Sequence, residues 1–285
     1  MSISSIPFAR RFAAAILFSL ASITSSLSVD PSLDSSEMPI HNVVIAIAME
    51  HEAAPFVEHL KLEKKDNFFS PKAPFVAYSG KHEECNLTVI TNGKDEVHGT
   101  GAENVGTVPA ALAVFMALDK LPETDLLINA GTCGGFRRMG AEIGDTFLTT
   151  AVANHDRRIP IPQPDYTTYG VGKIESLKVE KLAASINAKM GVCTTGNSLD
   201  KTDEDDHHMK ANEASVKDME AAAIGWACEL HETPHFGIKV VTDIVDGEHP
   251  TQDEFLANLA AAAQSLQTAL PKVIEEVCGK GHDEL

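Results

Sequence analysis

Short unbroken apolar runs alternate with helix-like stretches along most of this chain, and that alternation constrains the fold more than any other feature. Residues 42–48 form the first apolar run, and residues 51–60 follow it with helical periodicity. Unbroken apolar runs of this length are typical of strands buried on both faces. Strands that alternate with helices predict an α/β fold, with helices covering a mixed, mostly parallel central sheet.

The alternation continues to the last residues. Further strands are predicted at 75–79, 85–92, 126–130, 146–153, 191–195, 215–218 and 236–242. Helices are predicted at 105–118, 175–189, 203–212, 220–230 and 253–278, the last with a kink at Pro271. The proline-rich residues 154–170 predict a long loop, which in a compact domain is usually a lid or an interface.

The charge balance limits the partners. The 285 residues include 23 basic and 41 acidic side chains, for a formal net charge of −18. Nucleic acid is excluded as an expected partner, because phosphate binding depends on clustered Lys and Arg. The same charge disfavours an anionic substrate, so a neutral or cationic small molecule is expected.

The cysteines give no sign of a metal or disulfide site. The five of them are an odd number and show no CxxC or zinc-type spacing: Cys85, Cys133, Cys193, Cys228 and Cys278. We therefore predict no disulfide framework and no metal, and expect most of these residues to be buried, inert thiols.

The two ends of the chain predict a compartment. Residues 1–28 combine Arg10 and Arg11 with an apolar run and a serine-rich segment, a layout typical of a cleavable signal peptide. The apolar run is too short to span a membrane, so no membrane association is expected after removal of the leader. Residues 281–285 contain the sequence HDEL, a retention signal of the endoplasmic reticulum. A linker at 29–40 and one domain at 41–280 complete the predicted organisation.

Alternatives to this compartment remain open. A serine-rich, acid-free start also fits a plastid transit peptide, and initiation at Met38 predicts a cytosolic form. Asn86-Leu87-Thr88 is a formal glycosylation sequon, but it lies in a predicted strand, which disfavours its use.

Polar or glycine-rich clusters follow several predicted strands, where an ordinary loop would suffice. They are Glu50 with Glu52, residues 131–135, Met219 with Glu220, and Thr242 with Asp243. Ligands of such sheets bind beyond the carboxyl ends of the strands, so three carboxylates are expected to converge on one crevice. Convergent carboxylates suit a reaction with a cationic transition state that needs an acid and a base.

Each carboxylate taken alone has a structural explanation. Glu52 and Glu220 suit the first turns of their helices, and Asp243 suits a cap. Residues 131–135 lack the spacing of a phosphate-binding loop, so their glycines are expected to let the backbone approach a ligand. The combination of clusters nevertheless favours a functional site.

A family resemblance lies in the same clusters. Four segments carry it: AMEHE at 48–52, NAGTCGG at 129–135, KDMEAA at 217–222 and VTD at 241–243. They resemble the signature segments of the methylthioadenosine/S-adenosylhomocysteine nucleosidases. HDRRIPIP at 155–162, YGVG at 169–172 and VDGEHPT at 245–251 resemble the plant-type branch. The resemblance runs from about residue 43 to the last predicted helix.

This resemblance implies a three-layer α/β sandwich of the nucleoside-phosphorylase type, commonly a homodimer, that needs no cofactor. The implied partner is a small purine thionucleoside, 5′-methylthioadenosine or also S-adenosylhomocysteine, whose bond between ribose and adenine is cleaved by water. Glu52 would activate the water, and Asp243 would protonate N7 of adenine. The implied substrate-binding residues are Thr132, Gly134, Leu199, Asp218, Met219, Glu220, Lys239 and Thr242.

One departure and two rival functions accompany the resemblance. Asn197 replaces an aspartate of many members, which puts in doubt any role of that carboxylate in holding Asp243. A phosphorylase on the same fold would use phosphate instead of water and would need basic side chains at the site. A non-catalytic binding or storage protein would have no need of Glu52, Glu220 and Asp243 together.

Overall fold

The computed structural model describes residues 38–285, so the predicted leader and most of the predicted linker lie outside the described part. The strands are β1 (Asn42–Ile47), β2 (Glu63–Lys64), β3 (Val76–His82), β4 (Cys85–Thr91), β5 (Leu126–Gly135), β6 (Thr146–Asn154), β7 (Ile174–Glu175), β8 (Lys189–Thr195), β9 (Ala214–Asp218) and β10 (His235–Ile244). The helices are α1 (Glu50–His59), α2 (Thr107–Lys120), α3 (Pro164–Val171), α4 (Glu180–Ile186), α5 (Asp203–Ala211), α6 (Ala221–Leu230) and α7 (Thr251–Val277).

All ten strands of the described residues join one mixed sheet. β1 lies between β4 and β5 and is parallel to both, and β5 is parallel to β10. β6 pairs antiparallel with β10 and parallel with β8, which is parallel to β9. β9 returns to the end of β5, so five strands close a ring. This ring gathers the ends of β5, β9 and β10 in one place.

Helices cover both faces of the sheet, as predicted for a three-layer sandwich. On one face α1, α4 and α7 bury residues such as Phe56, Leu182 and Leu266 against β1, β4, β5 and β10. On the other face α2 and α6 bury residues such as Val114 and Ile224. Apolar burial of this extent is the main favourable contribution to folding. Within the described residues, no helix is both long and apolar enough to cross a membrane.

Several predicted elements differ from the structure. The helix predicted at 175–189 is only α4, because β7 and the turn after it occupy the first residues. Residues 131–135 are not a loop; they continue β5 and pair with β10. The predicted loop at 154–170 contains most of α3. Pro271 is buried inside α7, which continues through it.

The prediction of no disulfide is wrong. Cys85 at the start of β4 is bonded to Cys278, the residue after α7, and their Cα atoms are 5.7 Å apart. The two residues are separated by 193 positions, so spacing along the chain gives no sign of the pair. The other three cysteines are free and buried, as expected.

The residues that carry the HDEL sequence pack onto the domain. Leu285 is buried in the same cluster as α4 and α7, and its carbonyl oxygen accepts a hydrogen bond of 2.8 Å from the Leu182 amide. The Asp283 carbonyl oxygen accepts a bond from the Lys181 ammonium. The tail is therefore part of the folded domain.

Candidate active site

The residues named from the sequence line one cavity of about 260 Å³ where β5, β9 and β10 meet α1. All ten are present at its wall: Glu52, Thr132, Gly134, Leu199, Asp218, Met219, Glu220, Lys239, Thr242 and Asp243. The structure thus brings together side chains that are up to 191 positions apart in the sequence, from Glu52 to Asp243.

Glu52 enters the cavity from the first turn of α1. Its side chain is almost fully buried, and one carboxylate oxygen accepts bonds from the Thr132 amide (3.0 Å) and the Thr132 hydroxyl (2.6 Å). Burial raises the pKa of Glu52, while the two Thr132 donors act in the opposite direction. The second carboxylate oxygen has no hydrogen-bond donor from these partners, so it is available to a water or a ligand.

Asp243 lies near the end of β10, only 2% exposed. Its Oδ1 is 2.8 Å from the Thr242 hydroxyl, and its Oδ2 is buried without a hydrogen-bond partner. Burial is the main reason that the pKa of Asp243 is raised. A buried carboxyl oxygen without a partner is costly when it is charged. The site therefore favours a neutral, proton-bearing Asp243.

Thr242 accommodates both protonation states of Asp243. Its hydroxyl lies 3.1 Å from the Cys133 carbonyl oxygen as well as 2.8 Å from Asp243. A hydroxyl has one hydrogen to donate. When that hydrogen bonds to the Cys133 carbonyl oxygen, the hydroxyl oxygen can accept a hydrogen bond from the O–H of a neutral Asp243 carboxyl. When Asp243 is ionised, the hydrogen can turn to it.

Gly134 allows Asp243 to reach this position. A Cβ atom at Gly134 would lie 2.7 Å from Asp243 Oδ2 and 2.5 Å from Val245 Cγ2. Both distances are shorter than van der Waals contact. The glycine in this segment is therefore needed for side-chain packing against the acid, in addition to any close approach by a ligand.

A buried ion pair at the cavity wall connects β9 to β10. Lys239 Nζ is 2.8 Å from Asp218 Oδ2, and both side chains are inaccessible to solvent. Asp218 also accepts bonds from the Thr195 hydroxyl and the Ala221 amide at the start of α6. Despite burial, the Lys239 ammonium and these donors keep the pKa of Asp218 below its ordinary value. Asp218 is thus a fixed negative charge that positions Lys239 and α6.

Glu220 lies beside that charge, immediately before α6. Its Oε1 accepts a 2.7 Å bond from the Gly106 amide, which precedes α2. Burial, and next the negative charge of Asp218, raise the pKa of Glu220 to about 7. The carboxyl therefore changes its protonation state near neutral pH, and it can both donate and accept hydrogen bonds to a polyhydroxylated ligand.

Sequence reasoning singled out neither Val105 nor Phe255, and it assigned no role to Lys217 or Thr251, although both lie in segments that carry the resemblance. Lys217 is 5% exposed and donates to the carbonyl oxygens of Ser198 (2.7 Å) and Leu199 (2.8 Å). Its ammonium thereby fixes the segment that carries Leu199. The signal that could have identified it is a lysine inside the short apolar strand before Asp218.

Other residues singled out from the sequence lie elsewhere. Glu50 bonds to the Tyr78 and Thr91 hydroxyls instead of lining the cavity. None of residues 154–170 lines it. The Asn197 side chain accepts hydrogen bonds from the amide and hydroxyl of Thr107, so it holds the start of α2 and makes no hydrogen bond to Asp243.

The cations at the cavity are both engaged by protein groups. Lys239 pairs with Asp218, and Lys217 binds two carbonyl oxygens. No arginine of residues 38–285 is among the lining residues. The described residues also include no cluster of His, Cys, Asp and Glu suited to a metal ion. The cavity therefore offers acids, hydroxyls and backbone amides to a ligand, and no free cation for phosphate.

Comparisons with known proteins agree with this arrangement. The model of the phosphorylase superfamily matches residues 42–275. A 5′-methylthioadenosine/S-adenosylhomocysteine nucleosidase of Arabidopsis thaliana is 41% identical over 85% of this chain and 94% of its own length. A 5′-methylthioadenosine nucleosidase of the same plant is 42% identical over 90% of this chain and 96% of its own.

A solved structure gives the same result. The apo structure of Arabidopsis thaliana 5′-methylthioadenosine nucleosidase superposes with a TM-score of 0.83 at 41% identity, covering 87% of this chain and 100% of that one. Sequence, fold and cavity thus lead to one conclusion: this chain belongs to the phosphorylase superfamily and, within it, to the methylthioadenosine/S-adenosylhomocysteine nucleosidase family.

Proposed function

We propose that this protein hydrolyses the N-glycosidic bond of 5′-methylthioadenosine and releases adenine. The observation that carries the proposal is the convergence of Glu52, Glu220 and Asp243 on one buried cavity. The raised pKa of Asp243 supplies the second part of the argument, because adenine becomes a good leaving group only after it gains a proton.

The reaction follows from the positions of these groups. Asp243 gives its proton to N7 of adenine as the glycosidic bond lengthens, and the ribose develops positive charge. The Glu52 carboxylate accepts a proton from the attacking water, while Thr132 holds its other oxygen. Glu220 hydrogen-bonds the ribose hydroxyls, and Met219 packs against the sugar. Carboxylates in a dry cavity stabilise the cationic sugar more strongly than water does.

Water is favoured over phosphate as the attacking group because Lys217 and Lys239 are already engaged and no arginine of the described residues lines the cavity. The test is to incubate the pure protein with 5′-methylthioadenosine in phosphate-free buffer and to measure free adenine. Full turnover is expected. A strict requirement for phosphate would contradict hydrolysis, and tight binding without adenine release would support the non-catalytic alternative.

We propose that S-adenosylhomocysteine is a second substrate, in line with the name of the 5′-methylthioadenosine/S-adenosylhomocysteine nucleosidase of Arabidopsis thaliana. Its longer 5′ substituent needs an opening in the cavity wall. Two lining residues, Leu199 and Val105, are 39% and 42% exposed, so the cavity wall reaches the surface there. The same adenine assay with S-adenosylhomocysteine tests this, and absence of turnover at millimolar substrate would refute it.

We also propose that the protein is a homodimer through an apolar face of α2 and α6. Large apolar side chains on this face are about half exposed: Val108, Leu112, Phe115, Trp226 and Leu230. The three on α2 follow helical spacing, and nearby Val105 lines the cavity. A second copy would bury this face and border the cavity.

Light scattering after size-exclusion chromatography tests the dimer. A mass twice that of the mature chain is expected at micromolar protein. Trp226→Lys should give monomers, whereas Leu256→Lys, a substitution at an exposed leucine of α7, should not. A monomeric wild-type protein would refute the proposal.

For the compartment, we propose the lumen of the endoplasmic reticulum. The Cys85–Cys278 disulfide supports it, because such bonds persist in oxidising compartments. Recognition of residues 282–285 by a retention receptor would require them to leave their site beside Leu182. Protease protection of the endogenous protein in isolated microsomes tests the compartment, and complete digestion without detergent would refute it.

A further inference from the structure

The geometry points to Asn86 as an N-glycosylation site of this protein. The sequon Asn86-Leu87-Thr88 starts at the second residue of β4, and Cys85 separates it from the β3–β4 turn. The Asn86 side chain is exposed, whereas its neighbours Cys85 and Leu87 are buried. Strand structure therefore does not hide the acceptor amide. This inference goes beyond the proposed activity and rests on the proposed compartment.

The Asn86 amide keeps a free hydrogen in the folded protein. Its Nδ2 donates one bond, 2.9 Å long, to Asn42 Oδ1. An amide nitrogen has two hydrogens. In the modification one of them leaves as a proton, and Nδ2 bonds to C1 of the first sugar. The C1–O bond to the lipid pyrophosphate carrier breaks, and the lipid pyrophosphate departs. The remaining hydrogen still serves the bond to Asn42.

A groove beside Asn86 has room for the first sugars. It encloses about 480 Å³ and is lined by polar and charged side chains that suit sugar hydroxyls, including Lys61, Lys65, Ser79 and Lys81. This groove shares no lining residue with the catalytic cavity. A glycan at Asn86 is therefore expected to leave catalysis unchanged.

The order of synthesis also favours modification. Thr88 is 9% exposed, and its hydroxyl contacts Ser79, so the transferase must read the sequon before β4 pairs with β3. Cys278 follows Cys85 by 193 residues. At about 5–20 residues per second, Cys278 is synthesised roughly 10–40 s after the sequon. The disulfide next to Asn86 therefore forms too late to block the site.

The test is synthesis of the full chain in a translation system with microsomes, followed by endoglycosidase digestion and gel electrophoresis. A slower band is expected in the protease-protected fraction, and digestion should remove it. Asn86→Gln and Thr88→Val should abolish the slower band. Thr88→Ser, which keeps the sequon, and Asn42→Ala, which removes the acceptor of the Asn86 hydrogen bond, should retain it. Asn86→Gln should keep wild-type nucleosidase activity.

Three results would overturn the site. A protected chain without the slower band would show that the sequon is not glycosylated in the lumen. A slower band that persists in Asn86→Gln would place the sugar elsewhere. A chain that stays outside the microsomes would remove the compartment on which the site depends, and the adenine assay would still report on the proposed activity by itself.

Discussion

Gly134→Ala is expected to displace the catalytic acid without unfolding the protein. The new methyl group would lie 2.7 Å from Asp243 Oδ2, so the carboxyl must move by roughly 0.5–1 Å to reach ordinary contact. A displacement of this size lowers catalysis by up to about 10²-fold. We expect kcat for 5′-methylthioadenosine to fall by about 10- to 100-fold, with a smaller change in KM.

Gly135→Ala is the matched control. Its methyl group would meet Ala141 at 2.7 Å and Val241 at 2.9 Å, but not Asp243. Overpacking in a core costs about 1–3 kcal/mol, so both variants should unfold at similarly lower temperatures. Only Gly134→Ala should lose turnover. Adenine release and thermal unfolding by circular dichroism measure the two effects. A folded Gly134→Ala protein with kcat within about threefold of wild type would refute the packing role of this glycine.

Three further predictions concern the acids and the disulfide. Asp243→Asn and Glu52→Gln should each lower turnover by at least about 10²-fold in proteins that remain folded, and normal adenine release in either variant would refute its assigned role. Because the pKa of Glu220 rises from 4.5 to about 7 on folding, the folded state binds this proton more tightly, and the free energy of unfolding should fall as pH rises from about 4.5 to 7. Glu220→Gln should remove that part of the slope in urea unfolding at pH 5 and pH 8, and an identical slope in both proteins would contradict the shift. Reduction, or Cys278→Ser, should lower stability by up to about 5 kcal/mol, because the disulfide closes a loop of nearly 200 residues in the unfolded chain; equal unfolding midpoints with and without reductant would contradict this.

Glu50 and Glu52 show which part of the site the sequence could not resolve. Both glutamates follow β1, and the sequence places both at the predicted crevice. Two positions along a helix differ by roughly 200° in direction, so only one of them can face the cavity. Which one does depends on the face that α1 buries, and the structure selects Glu52.

The sequence also did not predict which distant segments contact each other. The alternation of apolar runs and helices correctly predicted the layers, because each element follows from its own neighbours in the sequence. The Cys85–Cys278 bond and the role of Lys217 depend on where segments meet in space. A lysine in a strand would ordinarily be expected at the surface, and the carbonyl oxygens of Ser198 and Leu199 compensate for the burial of Lys217.

Helix α7 connects the cavity wall to the Cys85–Cys278 disulfide. Thr251 and Phe255 near its start line the cavity, while Cys278 just beyond its end is covalently fixed to β4. The 27 residues of α7 span about 40 Å at 1.5 Å per residue. The disulfide therefore fixes the far end of α7, and two hydrogen bonds fix the end at the cavity: Glu254 accepts one from the Ile244 amide, and Asn258 donates one to the Thr242 carbonyl oxygen.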